Sequence, residues 1–303
     1  YHDLLALDLD VVHVLTPNIA HSAITVDALE AGKHVMCEKP MAINSAEAKK
    51  MLDAAHRTGK KLTIGYQGRF RPDSLYLKQV CENGDLGDIY YARAQAVRRR
   101  AVPTWGVFLD EEKQGGGPLI DIGTHALDLT LWTMNNYEPQ MVVGTTYRKL
   151  ADRENAANAW GPWDPKKFTV EDSAFGFVRM KNGATVYLEA SWALNTLLVD
   201  EAKTLLCGTE GGADMLGPDG ALRLNGEKFS RLYTTEPTLS AGGVAFYDGK
   251  TVSAADLEAQ MWIAHVLDDS KPLVTKPEQA FVVTQILEAI YQSAKSGQPV
   301  FFD

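Results

Sequence analysis

The chain has 303 residues, of which 45% are hydrophobic and 23% are charged, a composition typical of a globular protein with one large or two ordinary domains. A formal net charge of −9 and a pI near 5.3 argue against a protein that binds polyanions. The basic cluster at residues 98–100 is too short to outweigh this charge, so we expect no nucleic acid partner.

Three cysteines, Cys37, Cys81 and Cys207, lie far apart in the sequence. They form neither a CxxC pair nor a set with histidine at metal-ligand spacing, so we expect free thiols, no metal site and a cytoplasmic location. No apolar run approaches the roughly 18 to 20 residues that a membrane-spanning helix needs, so we also expect no membrane association.

The first part of the chain alternates short apolar strands with helical patterns. Strand patterns lie at residues 9–15, 34–37 and 62–66. Helical patterns separate them, and the second of these has Asn44 at its capping position and Gly59 at its end. Strands that alternate with helices in this way predict βαβ units and a parallel sheet.

The residues that follow these strands are candidates for a binding site, because ligands of such sheets bind at the carboxyl ends of the strands. The candidates, in chain order, are Thr16, Pro17, Asn18, Glu38, Lys39, Pro40, Gln67 and Arg69. By themselves, Glu38 and Lys39 are more typical of a solvated surface ion pair than of a functional site. Their position at a strand end is what favours a function.

The pattern changes after a helix predicted at residues 72–82. Period-two alternation begins near residue 89, and an Asn182-Gly183 turn between two alternating runs is a strong hairpin signal. A mostly antiparallel sheet is therefore predicted, with strands at residues 89–97, 141–147, 173–180, 185–192, 203–207, 221–224 and 231–234, followed by helices at residues 254–267 and 277–296. The best domain boundary lies between residues 86 and 87.

One helical pattern interrupts this sheet and has polar residues among apolar ones. It follows three glycines at residues 115–117 and places Asp121 and His125 four residues apart, on one face. The surrounding residues are apolar, so the carboxylate and the imidazole need partners or a substrate. Mutual pairing of Asp121 and His125 explains the spacing as well as catalysis does, although histidine is well suited to proton exchange near neutral pH.

Three segments together resemble the Gfo/Idh/MocA family of nicotinamide-dependent oxidoreductases: "TPN" with His21, "EKP" at residues 38–40, and "GGGPLIDIGTHALD" at residues 115–128. The resemblance implies an α/β Rossmann domain over residues 1–86 and an α+β domain with an open-faced, mostly antiparallel sheet over residues 87–303. It also implies NAD or NADP as cofactor and a sugar, polyol or inositol as substrate. Homodimers or homotetramers form through the open sheet in such proteins.

The same resemblance assigns roles to individual residues. Lys39, Asp121 and His125 match the catalytic and substrate-binding set, and Pro40 matches a proline whose preceding peptide is often cis. Cofactor-binding positions correspond to Thr16, Pro17, Asn18, His21, Glu38, Lys39, Pro40, Gln67 and Arg69. Trp105 lies where loops reach the cofactor or the substrate, whereas Trp160, Trp163, Trp192 and Trp262 are interpreted as core or interface residues. The alternative for the loop at residues 160–163 is that it closes over the substrate together with Trp105.

The expected chemistry is removal of a hydride from a secondary alcohol, whose hydroxyl proton must leave as well. His125 is the candidate base, Lys39 stabilises charge on the reacting oxygen, and Asp121 orients the sugar and the cationic groups. Two alternatives remain: an NAD-dependent glycoside hydrolase that regenerates its cofactor, and a non-catalytic relative that binds sugar or dinucleotide.

The sequence departs from the family pattern at its start. It begins at Tyr1 with the pattern of a helix interior, and residues 1–86 contain no GxGxxG. We therefore expect a Rossmann domain that lacks its first βαβ portion, with truncation favoured over a native loss of cofactor binding. The choice between NAD and NADP is not readable without that portion.

Overall fold

The computed structural model describes residues 1–216, 220–239 and 252–302. Within these residues the chain forms two β-sheets, one of three strands and one of nine, and helices pack against both. The predicted combination of a Rossmann-type parallel sheet and a larger, mostly antiparallel sheet is confirmed.

The first part of the chain alternates helix and strand, as predicted. Its elements are α1 (His2–Leu5), β1 (Val11–Val14), α2 (Asn18–Glu30), β2 (His34–Glu38), α3 (Ser45–Thr58), β3 (Leu62–Gly65), a 3-10 turn (Gln67–Phe70) and α4 (Pro72–Glu82). The three strands pair in parallel in the order β1-β2-β3, so their carboxyl ends lie along one edge.

Local sequence explains where these elements begin and end. The side chain of Asn44 accepts a hydrogen bond from the backbone N–H of Glu47 at 2.9 Å and so caps helix α3. Gly59 ends that helix with a φ of +65°, a conformation that glycine adopts without strain. Val35 and Cys37 of the central strand β2 are completely buried, because both of its neighbours are strands and helices cover its faces.

The second part of the chain contributes the larger sheet. Its elements are β4 (Ile89–Val97), α5 (Glu111–Gln114), a π-helical turn (Leu119–Gly123), α6 (Thr124–Met134), β5 (Pro139–Tyr147), β6 (Ser173–Met180), β7 (Thr185–Ser191), β8 (Asp200–Gly208), β9 (Gly211–Asp214), β10 (Arg223–Lys228), β11 (Arg231–Thr235), α7 (Ala254–Leu267), α8 (Pro277–Ser296) and β12 (Val300–Phe301).

The strand order is β11-β10-β9-β8-β4-β7-β6-β5-β12, and all pairs are antiparallel except β4 with β7. The hairpin predicted from Asn182-Gly183 joins β6 to β7. Strands β9 and β12 were not predicted, because β9 is glycine-rich and β12 has only two residues. Their pairing depends on neighbouring strands rather than on their own sequence.

One face of this sheet is covered by α6 and α8, and small residues allow the close contact. A Cβ atom at Gly144 would lie 2.6 Å from the side chain of Ile290, and one at Gly176 would lie 2.5 Å from it. At Gly144 the Cβ atom would also lie 2.8 Å from the backbone oxygen of Ile290, so glycine is required there for α8 to approach the sheet, whereas at Gly176 the contact is with the end of the Ile290 side chain. Helix α8 also contacts α3 and β3, so it packs against both parts of the chain.

The opposite face of the sheet carries larger side chains. Arg93, Tyr187, Phe177 and Val143 lie in one row across β4, β7, β6 and β5. The rings of Phe177 and Tyr187 lie 5.3 Å apart, and Tyr187 remains 43% exposed. A sheet face with exposed aromatic rings is a typical association surface.

A buried ion pair joins the 3-10 turn after β3 to helix α6. The Arg69 guanidinium donates to both carboxylate oxygens of Asp128, at 2.9 and 2.6 Å, and both side chains are buried. Its remaining donors bond to the carbonyl oxygen of Val274, the side chain of Gln279 and the hydroxyl of Tyr137. All five N–H groups of Arg69 therefore have acceptors.

Across the described ranges, no helix has the length and apolarity that crossing a membrane requires.

Replacing Arg69 with Met should lower the free energy of unfolding by about 3–5 kcal/mol, because Asp128 would be left buried without a cation. Urea unfolding followed by circular dichroism measures this. Lys49→Met is the control: it breaks an exposed ion pair with Asp53 and should cost no more than about 1 kcal/mol. Equal losses of unfolding free energy in the two variants would show that the buried ion pair stabilises the protein no more than the exposed one does.

Candidate active site

The carboxyl ends of β1 and β2 bring two short loops together. Residues 15–18 follow β1, and Glu38, Lys39 and Pro40 follow or end β2. The peptide bond between Lys39 and Pro40 is cis, as the family resemblance implied. The two loops line one wall of a cleft whose opposite wall comes from the second part of the chain.

Lys39 contacts Asp121 across this cleft. Its Nζ donates to the Asp121 carboxylate Oδ1 at 3.0 Å and to the Asp121 backbone oxygen at 2.8 Å. Trp192, which directly follows β7, donates its indole N–H to the other carboxylate oxygen at 3.0 Å. The Asp121 carboxylate is thus held from two sides by donors from different elements.

His125 lies one turn beyond Asp121, at the start of α6, and its ring makes an edge-to-face contact with Tyr66 at 6.3 Å. Within residues 1–216, 220–239 and 252–302, no hydrogen bond engages its ring nitrogens. The alternative of an Asp121–His125 pair is therefore not what forms, because Asp121 bonds to Lys39 and Trp192 instead. The imidazole remains available to another molecule.

The charges in the site reinforce one another. Burial opposes ionisation of Asp121, but the nearby Lys39 ammonium outweighs it and lowers the pKa of Asp121 below its ordinary value. Burial, together with the positive charge of Lys39, lowers the pKa of His125 to about 3. At neutral pH the site consequently contains an ionised Asp121 and a neutral His125, which is the form of histidine that accepts a proton.

His21 connects the two strand-end loops. Its Nδ1 lies 2.8 Å from the carbonyl oxygen of Pro40, and its Nε2 lies 2.9 Å from that of Thr16. The side chain is buried, and burial lowers its pKa. His21 was predicted to bind the cofactor, and in the structure its two ring nitrogens contact the two loops.

The cleft next to Lys39 has a volume of about 340 Å³. Its lining comes from both parts of the chain: Leu15, Thr16, Pro17, Asn18, Glu38, Lys39, Pro40, Gly106, Val107, Phe108, Gln114 and Asp121. Leu15 is 70% exposed at its rim, so a large apolar side chain faces open space there. The Asn18 side chain crosses the cleft wall and donates to the carbonyl oxygen of Gln114 at 3.0 Å.

Six of the nine predicted cofactor-binding residues line this cleft, and the other three, His21, Gln67 and Arg69, do not. Gln67 lies exposed at the start of the 3-10 turn after β3, and Arg69 is buried in its ion pair with Asp128. Because every donor of Arg69 is already engaged, its placement argues against the predicted contact with a cofactor. A strand-end position alone does not tell which way a side chain turns.

Trp105 lies on the loop that lines the cleft through Gly106. It is 51% exposed and packs edge-to-face against Trp160 at 4.9 Å, while Arg98 lies 5.5 Å from the Trp160 ring. Trp105 and Gly106 also line a neighbouring cavity of about 470 Å³. Trp160 is 46% exposed and so is not a core residue of the chain, whereas Trp163, Trp192 and Trp262 are buried.

Two residues near the catalytic set were not predicted. Trp192 bonds to Asp121, and Arg98 lies close enough to lower the pKa of both Asp121 and His125. Arg98 in turn is held by Glu201, to which its Nε donates at 2.7 Å. A signal existed for both, because Arg98 follows β4 and Trp192 follows β7, at strand ends of the second sheet.

A parallel βαβ sheet, an open mixed sheet and a polar cleft between them define a two-part oxidoreductase with an NAD-binding Rossmann domain. Comparison with family models agrees. The model described as "Oxidoreductase family, NAD-binding Rossmann fold" matches residues 1–66, and the "GFO/IDH/MocA C-terminal domain" matches residues 74–214. The chain belongs to the Gfo/Idh/MocA oxidoreductase family.

Individual relatives are similar over most of the chain. A D-glucoside 3-dehydrogenase of Escherichia coli is 38% identical over 298 residues, which cover 98% of this chain and 80% of the relative. A levoglucosan dehydrogenase of Pseudarthrobacter phenanthrenivorans is 30% identical over 61% of this chain and 50% of the relative. The solved structure of a levoglucosan dehydrogenase with NADH and L-sorbose has the same fold, with a TM-score of 0.81 and 23% identity over 100% of this chain and 82% of its own.

The cleft fits the nicotinamide end of the cofactor that the family uses. An exposed Leu15 offers an apolar surface to a flat ring, and Thr16 and Asn18 place polar groups beside it. These residues lie at the carboxyl end of a parallel strand, where dinucleotides bind in such sheets.

The neutral state of His125 can be tested by titration. We expect its NMR ring signals to stay constant from pH 8 down to about pH 5, because its pKa is about 3. In a Lys39→Met variant the midpoint should move upward, since a neighbouring positive charge has been removed. Lys33→Met, which changes a lysine bonded to Leu7 at the surface, is the control. A midpoint near pH 6 to 7 in the unmodified protein would contradict the assignment.

Proposed function

We propose that this protein transfers a hydride between a secondary alcohol of a sugar, polyol or inositol and NAD(P). The observation that carries the proposal is the contact of Lys39 with Asp121, both of which line the strand-end cleft, one helical turn before an unengaged, neutral His125. A charged donor, an orienting carboxylate and a base are the groups that alcohol oxidation requires next to a hydride acceptor.

Each residue of the set has a distinct role in this proposal. His125 accepts the hydroxyl proton of the substrate, because its ring is neutral and its nitrogens have no partner among the described residues. Lys39 donates a hydrogen bond to the same oxygen and stabilises the charge that develops there. Asp121 keeps Lys39 in place and accepts a hydrogen bond from a neighbouring substrate hydroxyl.

The cofactor supplies the hydride chemistry when it is bound. Thr16, Pro17, Asn18, Glu38 and Pro40 line the cleft and are proposed to contact its nicotinamide end. His21 acts on these residues indirectly, because it holds the carbonyl groups of Thr16 and Pro40. Gln67 is exposed nearby and remains part of the proposed cofactor surface.

The substrate class follows from the relatives and from the wall beside the cleft. The named relatives act on a glucoside or on levoglucosan, and both are carbohydrates with secondary hydroxyl groups. In this chain the half-exposed rings of Trp105 and Trp160 are proposed to contact the ring face of such a substrate. Tryptophan provides the broad apolar surface that the C–H face of a sugar ring requires.

The division of labour between two domains is part of the proposal. Residues 1–86 are assigned to the cofactor, and residues 87–303 to the substrate and to self-association. The exposed aromatic face of the nine-stranded sheet supports a homodimer or homotetramer. A cytoplasmic location is proposed on the cysteine pattern of the sequence.

Incubation with NAD or NADP and a panel of glycosides, free sugars, polyols and inositols should produce reduced nicotinamide, measured by its absorbance. Replacing Lys39 with Ala should lower kcat roughly 100-fold or more, because a charge-stabilising donor is lost from a buried site. The dissociation constant for the cofactor, measured by fluorescence titration, should change little.

Lys33→Ala is the matched control, because it removes a lysine from the surface and should leave turnover unchanged. Near-normal turnover by the Lys39→Ala variant would remove Lys39 from the mechanism. Release of sugar from a glycoside without net formation of reduced nicotinamide would point to the hydrolase chemistry instead.

The proposed assembly predicts a species larger than one chain in size-exclusion chromatography with light scattering. Phe177→Asp should shift it to the monomer, because a charge would enter the apolar face next to Tyr187. Leu267→Asp changes an equally apolar residue that is 81% exposed on α7 and should leave the mass unchanged. A monomeric unmodified protein would overturn this part of the proposal.

A further inference from the structure

A buried carboxylate lies behind the helix that carries Asp121 and His125. Glu171 immediately precedes Asp172 and strand β6, and its side chain accepts the backbone N–H of Gly117 at 2.8 Å and that of Leu119 at 3.1 Å. The hydroxyl of Tyr291 on α8 donates to the same carboxylate at 2.8 Å. The first N–H groups of a helix have no partner within it, and here a buried anion satisfies two of them.

Two of the three glycines before the helix, Gly116 and Gly117, lie against this pair, whereas a Cβ atom at the third, Gly115, would lie 2.9 Å from Ile43. A Cβ atom at Gly117 would lie 2.3 Å from the backbone oxygen of Glu171, and one at Gly116 would lie 2.0 Å from the hydroxyl of Tyr291. Both distances are far shorter than any contact between non-bonded atoms. The backbone at the start of the helix therefore lies directly against the Glu171–Tyr291 pair. The sequence pattern of three glycines is therefore explained by close approach and not by flexibility.

The capped segment leads directly into the catalytic groups. Asp121 follows Leu119 by two residues, and its backbone N–H donates to the carbonyl oxygen of Gly117 at 3.0 Å. The backbone oxygen of Asp121 accepts from Lys39 as well, so the backbone position of this turn determines the Lys39 contact. A shift at the helix start is transmitted to both partners of the Lys39–Asp121 pair.

We propose that Glu171, with Tyr291, is a positioning residue that anchors the start of the catalytic helix and so holds Asp121 and His125 in register with Lys39. The inference rests on the proposed function of that site. It adds a residue that touches neither substrate nor cofactor in the proposed arrangement and acts through the backbone of residues 117–119.

The charge state of Glu171 fits this role. A negative charge at a helix N-terminus is stabilised by the helix dipole and by the N–H groups that it accepts. Burial raises the pKa of Glu171 to about 7, although Tyr291 and the two backbone donors act in the opposite direction. Burial also raises the pKa of Tyr291, so the phenol remains a hydrogen-bond donor. Well above pH 7 the carboxylate form predominates.

The chain offers a matched control one residue away. Asp172 is equally buried and also accepts two backbone N–H groups, those of Leu150 at 2.5 Å and Ala151 at 3.0 Å. Its carboxylate anchors the loop after β5 and also accepts from the hydroxyl of Ser173. Among the described residues, this carboxylate makes no hydrogen bond with residues 117–125. Comparing isosteric amide variants of the two residues separates positioning of the site from general stability.

The experiment compares Glu171→Gln with Asp172→Asn in the full chain, assayed well above pH 7. In Glu171→Gln an amide N–H₂ opposes one backbone N–H, so the helix start should shift. We expect kcat to fall roughly 10- to 100-fold, the range that a displacement of about 1 Å produces, with KM and cofactor affinity within about twofold of the parent. For Asp172→Asn we expect a kcat within about threefold of that of the parent, although its loss of thermal stability should be similar to that of Glu171→Gln.

Hydrogen exchange provides a readout that does not depend on turnover. Peptides covering residues 117–125 should exchange faster in Glu171→Gln, whereas Asp172→Asn should affect peptides near residues 150–151. Unchanged exchange at residues 117–125, or equal losses of kcat in both variants, would overturn the role of Glu171. If the parent protein shows no hydride transfer at all, the proposed function fails, and the exchange result still decides whether Glu171 anchors the helix.

Discussion

The ion pair between Lys39 and Asp121 is the contact on which the site depends. It joins the end of a strand in the parallel sheet to a helical turn in the second part of the chain, and both side chains are mostly buried. Removing two charges from water is costly, so such a pair persists only when geometry and further hydrogen bonds compensate. Here the compensation comes from the backbone oxygen of Asp121, which accepts from the same ammonium, and from the indole of Trp192.

The same ammonium sets the charge of its neighbours. It keeps Asp121 ionised against the effect of burial, and it helps to keep His125 neutral. Asp128, about two turns further along the chain than Asp121, has a different role because its environment differs: it is fully enclosed with Arg69 and does not line the cleft. Two aspartates of adjoining helical segments thus differ in burial and partner: Asp121 lines the cleft, whereas Asp128 is enclosed in an ion pair.

Much of the fold follows from patterns that are local in sequence. The βαβ alternation, the Asn182-Gly183 hairpin and the two C-terminal helices were all predictable, because strand and helix periods and turn residues act over a few positions. Ligands of parallel sheets bind at the carboxyl ends of the strands, and this generalisation led to Thr16, Asn18 and Lys39 because it needs only strand order and direction. The positions of β9 and β12 in the sheet were not predictable, and neither was the parallel pairing of β4 with β7. For β12 and for the β4–β7 pair, the partners are distant in sequence.

The sequence by itself determined which chemical groups stand at the strand ends and on one helix face: a lysine, an aspartate and a histidine. Only the tertiary structure decided their partners. Arg69 forms a buried ion pair, and His21 contacts two loops. Trp192, Arg98 and Glu171 lie around the site without having been predicted there. The physical reason is that side-chain direction, burial and hydrogen-bond partners are set by packing between segments far apart in the chain, which no local pattern encodes.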